Sequence, residues 1–336
     1  MIILKMEDKQ KWQEKFKLIK NKDVQYTYEY LYVFSKYESA EQILFYFESK
    51  NGVVYYPFLK RKIKGTEYYD ITSQYGYGGP LYNGEEYNKE NLIQEFRRKF
   101  DMYCLENKIV SEFIRFHPIL RNHLGLENYM ECINTSNVVY VDLTKSEEEI
   151  LKNYKYSNRK SINKAIKLGV ITEEENNLDE FIKIYNSTMK RNNAIEYYKF
   201  NQNFFKYFIE ELETNKIFYF AKKNQDYIST ELVLYSENYA HSYLGGTNSD
   251  FFSLSPNNLL KHNLIKILQQ KGIKYFLLGG GYTKDDGIYK YKESFNEKGI
   301  IPFYIGKKIH NQKKYDELVE KNGRKNETNF FPKYRA

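Results

Sequence analysis

Cysteine is nearly absent: Cys104 and Cys132 are the two in 336 residues. Two thiols cannot build a disulfide framework, and their spacing is not that of a zinc site. No apolar run approaches the ~20 residues that a membrane helix needs, and mean hydropathy is -0.73. Met1 to Phe16 is dense in charge (Lys5, Glu7, Asp8, Lys9, Lys11, Glu14, Lys15). That is not the make-up of a signal peptide, so the expected compartment is the cytoplasm. No P-loop, nucleophile elbow or dinucleotide fingerprint is present, and no His/Cys cluster calls for a metal. Tryptophan occurs once, against 35 tyrosines and 23 phenylalanines. Tyrosine replaces phenylalanine readily at a half-wet core edge, so this excess is compositional.

What is there fits a globular protein of about two domains, with 41% hydrophobic and 29% charged residues. The net charge of +8 is unevenly placed: Gly306 to Ala336 holds nine basic and four acidic residues, hence five of the eight. The body is almost balanced. A DNA-binding face is therefore not expected, while a tRNA-sized partner is compatible but not favoured.

Helices are expected around Trp12 to Ile19 and Tyr26 to Tyr37. Strands Gln42 to Glu48 and Gly52 to Leu59 flank the turn Ser49-Lys50-Asn51-Gly52, a strong hairpin signal. A strand from Tyr68 to Ser73 leads into Tyr75-Gly76-Tyr77-Gly78-Gly79-Pro80, which cannot be regular structure. Asn88 to Asn107 repeats apolar residues at helical spacing, and Ile109 to Phe116 and Val138 to Leu143 read as strands. Ser146 and Glu149 form a capping box, so a helix starts there; it should run to about Leu168, where Gly169 stops it. Helices Asp179 to Arg191 and Phe200 to Glu213 precede a meander of strands Lys216 to Lys222, Tyr227 to Tyr235 and Tyr239 to Gly245. A helix opens at Ser255-Pro256 and stops at Gly272. Strands Ile273 to Leu278 and Ile300 to Ile305 follow. Each half thus reads helix, helix, antiparallel strands, helix, strand. The expected class is α+β, mostly antiparallel sheets with packed helices. The expected domains are 1–143 and 144–305, with 306–336 as a basic polar tail.

Several segments in this order resemble the tandem-GNAT acyltransferases. These include the Fem peptidoglycan-bridge aminoacyltransferases and the BioF2-like GNAT N-acyltransferases of surface-polysaccharide loci. The segments are Ser73 to Pro80, Ile114 to Ile119, Arg159 to Ala165 with Gly169, Ser255 to Leu260, Phe276 to Gly281, and Tyr289 to Phe295. The resemblance covers roughly residues 1 to 305 and implies two GNAT-like domains. Two departures bear on the donor. Fem proteins usually carry a P-R-G-P-type segment where Tyr77-Gly78-Gly79-Pro80 stands, and several carry a helical arm that has no counterpart here. An acetyl-CoA GNAT usually has a glycine-containing pyrophosphate loop, whereas Phe251 to Asn258 has no glycine.

The candidate site residues follow from both sources. Tyr77, Gly78 and Gly79 lie in a loop whose glycines allow close approach to a ligand. Arg115 and His117 alternate along a strand and project to one face, where an arginine could fork a phosphate. Arg159, in a basic helix with Lys152, Lys155, Lys160, Lys164 and Lys167, could meet a diphosphate; a charged helix face is otherwise simply solvated. Glu231 interrupts an apolar strand, where a desolvated carboxylate could serve as general base on an ammonium nucleophile. His241 and Tyr243 share a strand face, and Tyr243 could return a proton to a leaving group. Lys292 matches the lysine of the family's Y-x-F-K-x-x-F segment, which implies a phosphate contact or help with charge on the tetrahedral intermediate. Lys290 is its near alternative. Asp285 and Asp286 could pair with an amine or be turn residues. A splayed strand near Tyr243 to Gly246 would offer backbone N–H groups to an oxyanion.

These readings converge on a GNAT-type N-acyltransferase with an acyl-CoA donor, no metal, and a diphosphate-linked acceptor, a nucleotide- or lipid-linked amino sugar or cell-envelope precursor. Arg115, Arg159 and Lys292 are expected to line one cleft around that diphosphate. A Fem-type enzyme drawing on aminoacyl-tRNA, and a catalytically inert ligand-binding module, are the alternatives.

Overall fold

Every residue from Gln42 to Phe47 is buried, so this strand needs a cover on both faces. The computed structural model describes residues 1–192, 200–212, 215–283, 286–322 and 330–336, and it supplies both covers. The chain begins with β1 (Ile2–Leu4), α1 (Lys9–Lys17), α2 (Tyr28–Tyr37), β2 (Glu41–Ser49) and β3 (Gly52–Lys62). It continues through β4 (Tyr69–Thr72), β5 (Leu81–Asn83), α3 (Lys89–Glu106) and β6 (Ile109–Arg115). Ile43, Phe45 and Phe47 pack with Leu92, Phe96 and Phe100 of α3. Leu44 and Tyr46 point the other way, onto Trp12 of α1 and Leu31 of α2. The hairpin turn falls where Asn-Gly predicts it, with Ser49 paired to Gly52.

Next come β7 (Glu131–Asp142), α4 (Glu147–Lys152), α5 (Tyr156–Lys167), β8 (Ile171–Glu174), α6 (Leu178–Arg191) and α7 (Gln202–Glu211). The meander is β9 (Lys216–Lys223), β10 (Asp226–Tyr235) and β11 (Tyr239–Thr247). It is followed by α8 (Pro256–Gln270), β12 (Tyr275–Gly279), α9 (Gly287–Glu293), β13 (Ile300–Ile309) and α10 (Gln312–Lys321). Contacts divide the chain into two units: Met1–Thr135 with Pro302–Ala336, and Ser136–Ile301. In the first, strands run in the order β1-β2-β3-β4-β6-β13, with β5 on β3. In the second, the order is β7-β12-β11-β10-β9-β8. Pairing is antiparallel except β4 with β6 and β11 with β12. This is the expected α+β architecture, helices packed on mostly antiparallel sheets.

Two segments differ from the sequence reading. Residues Glu147 to Leu168 form two helices, because the chain breaks at Asn153 to Lys155. Tyr154 turns into the core, and the backbone N–H of Lys155 bonds to Ser294 O instead of continuing a helix. The stretch from Gly306 is also more structured than a polar tail. Tyr315, Leu318, Val319 and Tyr334 are buried with Ile63 and Val110. The Tyr334 hydroxyl lies 2.7 Å from Ser111 Oγ and donates to Asp70 Oδ2 at 3.2 Å.

Candidate active site

β11 pairs with β10 along most of its length but with β12 at only three positions, ending at His241 opposite Leu277. Past His241 the β12-side edge of β11 lies outside strand pairing among the described residues. The register against β10 also slips: Leu232 faces Leu244, Val233 faces Ser242, and Tyr243 is the extra residue of a bulge. Bulges re-aim backbone and side chains, and they recur beside active sites. The splay expected near Tyr243 to Gly246 is therefore present. The Tyr243 ring is half-buried and stacks on Phe208 at 5.4 Å.

Glu231 does not point to solvent. It is 4% exposed and forms an ion pair with Lys261 of α8, itself 3% exposed. Lys261 Nζ also donates to Ser242 Oγ, at 2.6 Å. An ion pair this deep is tolerable only because each charge compensates the other. Lys292, near the end of α9, donates to Gly280 O at 2.7 Å. Burial, and then the charge of Lys261, pushes the Lys292 ammonium down to about 8; Glu231 and Asp286 pull the other way. Lys261 is also pushed down by burial, against the pull of Glu231. Lys292, Lys261 and Glu231 thus form one electrostatic group beside the bulge of β11.

Sequence reasoning missed Lys261 and Ser242. A signal existed: Leu260, Leu264, Ile265 and Leu268 set the buried face of α8, and Lys261 falls on it. Asp286 is a turn residue, since it caps α9 through the Tyr289 N–H at 2.7 Å. Lys290 is exposed. Asp285 lies outside the described residues.

Arg159 spends one guanidinium nitrogen on structure. Its Nη1 donates to Leu151 O at 3.1 Å and Tyr154 O at 2.9 Å, closing the end of α4. Nε and Nη2 have no protein partner among the described residues. Arg159→Ala should therefore cost about 1–3 kcal/mol of stability, from two carbonyls losing a charged donor. A shift in the urea midpoint at constant m-value would register it.

In the first unit the glycine loop is not open to a ligand. Gly78 and Gly79 are buried. The Gly78 N–H donates to Arg115 O at 2.7 Å, and its carbonyl accepts from Tyr26 and Asn122. A Cβ on Gly79, at φ +90°, would meet Ile114, Asn122 and Phe116 at 3.0–3.1 Å. These glycines allow close packing on β6, which corrects the ligand-approach reading. The Tyr77 ring lies edge-on to His117 and Phe303, and burial pushes its phenol up. His117 is fully buried: Nδ1 accepts from Leu120 N–H, and Nε2 lies 2.8 Å from Asp23 Oδ2. Both ring nitrogens thus have protein partners. Half-buried Arg115 places its guanidinium over Phe113 and reaches Ser73 O at 3.4 Å.

Residues 152–293 match the family model of an acetyltransferase (GNAT) domain, and they contain the splayed strand, Glu231, Lys261 and Lys292. The chain thereby carries a GNAT-type acyltransferase domain. FemX has the same fold at a TM-score of 0.71 and 13% identity, over 94% of this chain and 99% of that one. A conserved protein of unknown function from Bacteroides thetaiotaomicron gives 0.61 at 10% identity, over 90% and 97%. L-PGS from Bacillus licheniformis gives 0.50 at 13% identity, over 83% and 90%. The fold of FemX thus extends over nearly the whole chain, and residues 152–293 of it are the GNAT domain. No curated protein matches the sequence.

Proposed function

We propose that the protein transfers an acyl group from acyl-CoA to the amino group of a diphosphate-linked amino sugar or related cell-envelope precursor. One observation supports the chemistry above all: the open edge of β11 at its bulge adjoins the group Lys292, Lys261 and Glu231. In this reading the amine nitrogen attacks the thioester carbonyl carbon, and the carbonyl oxygen takes the negative charge. Backbone N–H groups from Tyr243 to Gly246, with protonated Lys292, stabilise that oxyanion. The C–S bond then breaks. The Tyr243 hydroxyl gives its proton to the departing thiolate. Glu231 takes the proton that the nucleophile loses, which requires Lys261 to release part of its hold. Holding the two reactants together supplies much of the rate. Arg159 Nε and Nη2 are the cationic donors assigned to the acceptor's diphosphate.

The FemX-like fold and GNAT domain are compatible with a second reading, a Fem-type enzyme using aminoacyl-tRNA. The start of α8 favours it. Ser255 is left-handed there at φ 55°, and Pro256 lacks an N–H. That leaves fewer backbone donors for a CoA diphosphate than a glycine loop offers. Thermal shift with a series of CoA esters and with charged tRNA separates the two. A saturable rise in melting temperature with a CoA ester is the expected result. Saturable tRNA binding without response to any CoA ester would overturn the donor.

A further inference from the structure

Lysines on helices of this chain commonly sit beside an acid three or four residues away, as in Lys152–Glu148, Lys183–Glu180 and Lys314–Glu317. α5 breaks that habit. It carries Arg159, Lys160, Lys164 and Lys167 and not one acidic residue. Lys160, Lys164 and Lys167 are exposed and have no ion-pair partner among the described residues. The inner face of α5 is used up, with Asn158, Ile162 and Ala165 buried. On the outside, Tyr156 is 70% exposed, Ile166 55% and Leu168 39%. At about 100° per residue, Tyr156, Lys160, Lys164 and Lys167 share an arc of about 80°, with Leu168 about 40° beyond one edge and Ile166 about 80° beyond the other. Lys160 Nζ lies 5.7 Å from the centre of the Tyr156 ring.

We propose that the outer face of α5 docks on an anionic membrane surface. Unpaired ammonium groups match the phosphates of an acidic leaflet, each contributing independently near the surface. Tyrosine is at home at headgroup depth, and exposed isoleucine and leucine gain by dipping into the acyl boundary. An RNA backbone would reward the lysines but has no use for Ile166 and Leu168. The contact is peripheral, since no described helix is long and apolar enough to cross a membrane. The membrane contact stands apart from the acyl-transfer reading.

Sedimentation of the full chain with vesicles tests the contact without any acyl donor or acceptor. Phosphatidylcholine vesicles containing phosphatidylglycerol should bind it, pure phosphatidylcholine should not, and added salt should weaken binding. The triple variant Lys160→Glu, Lys164→Glu, Lys167→Glu should lose at least about a hundredfold in partitioning. Ile166→Ser with Leu168→Ser should weaken the binding that survives high salt. A triple Lys→Gln variant replaces the Glu version if circular dichroism shows that the latter misfolds. The proposal is overturned by no binding to the acidic vesicles at moderate salt, or by binding that the lysine variants leave unchanged. It is overturned equally if bulk tRNA, and not vesicles, binds through these lysines. A negative vesicle result leaves acyl transfer to a soluble acceptor standing, and a failed donor assay leaves the vesicle result standing.

Discussion

Lys292→Ala is expected to lower kcat/KM by about 10²–10³-fold while leaving the melting temperature nearly unchanged, the loss typical of one donor to an oxyanion. The side chain is half-buried, and its protein bond is to the single carbonyl of Gly280, so little packing depends on it. The pH profile adds a sign. The ammonium is pushed down to about 8 from an ordinary 10.5. If the charged form is the one that works, activity falls as pH rises through about 8. Lys292→Arg, which stays protonated, should remove that fall. Stability moves the other way. Between about 8 and 10.5 the unfolded chain binds more protons at this residue than the folded one, so folding becomes more favourable as pH rises. Lys292→Met should flatten that rise. A large loss of stability with normal turnover per folded molecule would place Lys292 in the structural class.

Glu112→Ala should cost about 3–5 kcal/mol, the largest stability effect expected from a single substitution here. Arg97 and Glu112 are both fully buried and joined by two hydrogen bonds, of 3.1 and 3.0 Å. Tyr56 donates to the same carboxylate at 2.9 Å, and His310 Nε2 lies 3.1 Å from it. Burial alone would raise the Glu112 carboxyl, but Arg97 and His310 outweigh it and hold it well below the usual range. Its stabilisation is therefore complete above the ordinary carboxylate pKa and is lost as pH falls toward the depressed one. Removing one partner strands the other charge in the core. Arg97→Met combined with Glu112→Leu should cost much less than Glu112→Ala. Urea unfolding of the three proteins compares them directly; equal losses would mean that packing, not charge, sets the penalty.

This ion pair also shows where sequence reasoning stops. The apolar face of α3 was legible from Leu92, Phe96 and Phe100, because helical periodicity is local. Arg97 is buried beside them; Asp101, one turn on, reads as an ordinary surface partner, while the buried partner Glu112 is 15 residues away on β6. Glu231 was legible as a carboxylate in an apolar strand, yet its partner Lys261 sits 30 residues on. The α4–α5 break escaped for a related reason. A capping box and a glycine mark the outer ends of that stretch, whereas the interruption depends on Tyr154 entering a core built by distant strands. Gly78 and Gly79 were legible as special backbone, but whether such a loop meets a ligand or a neighbouring strand is a tertiary fact. The splay of β11, by contrast, was expected from the GNAT-like reading of the meander, and pairing of β11 with β12 does end at His241.

The first unit is assembled from both ends of the chain, Met1–Thr135 and Pro302–Ala336, with all of Ser136–Ile301 translated in between. A ribosome therefore releases the first 135 residues long before β13 can lie against β6, or His310 can reach Glu112. The second unit can complete its own strand set first, while the first waits with Glu112 and the edge of β6 uncovered. The residues that close the first unit are thus made only after the whole of the second.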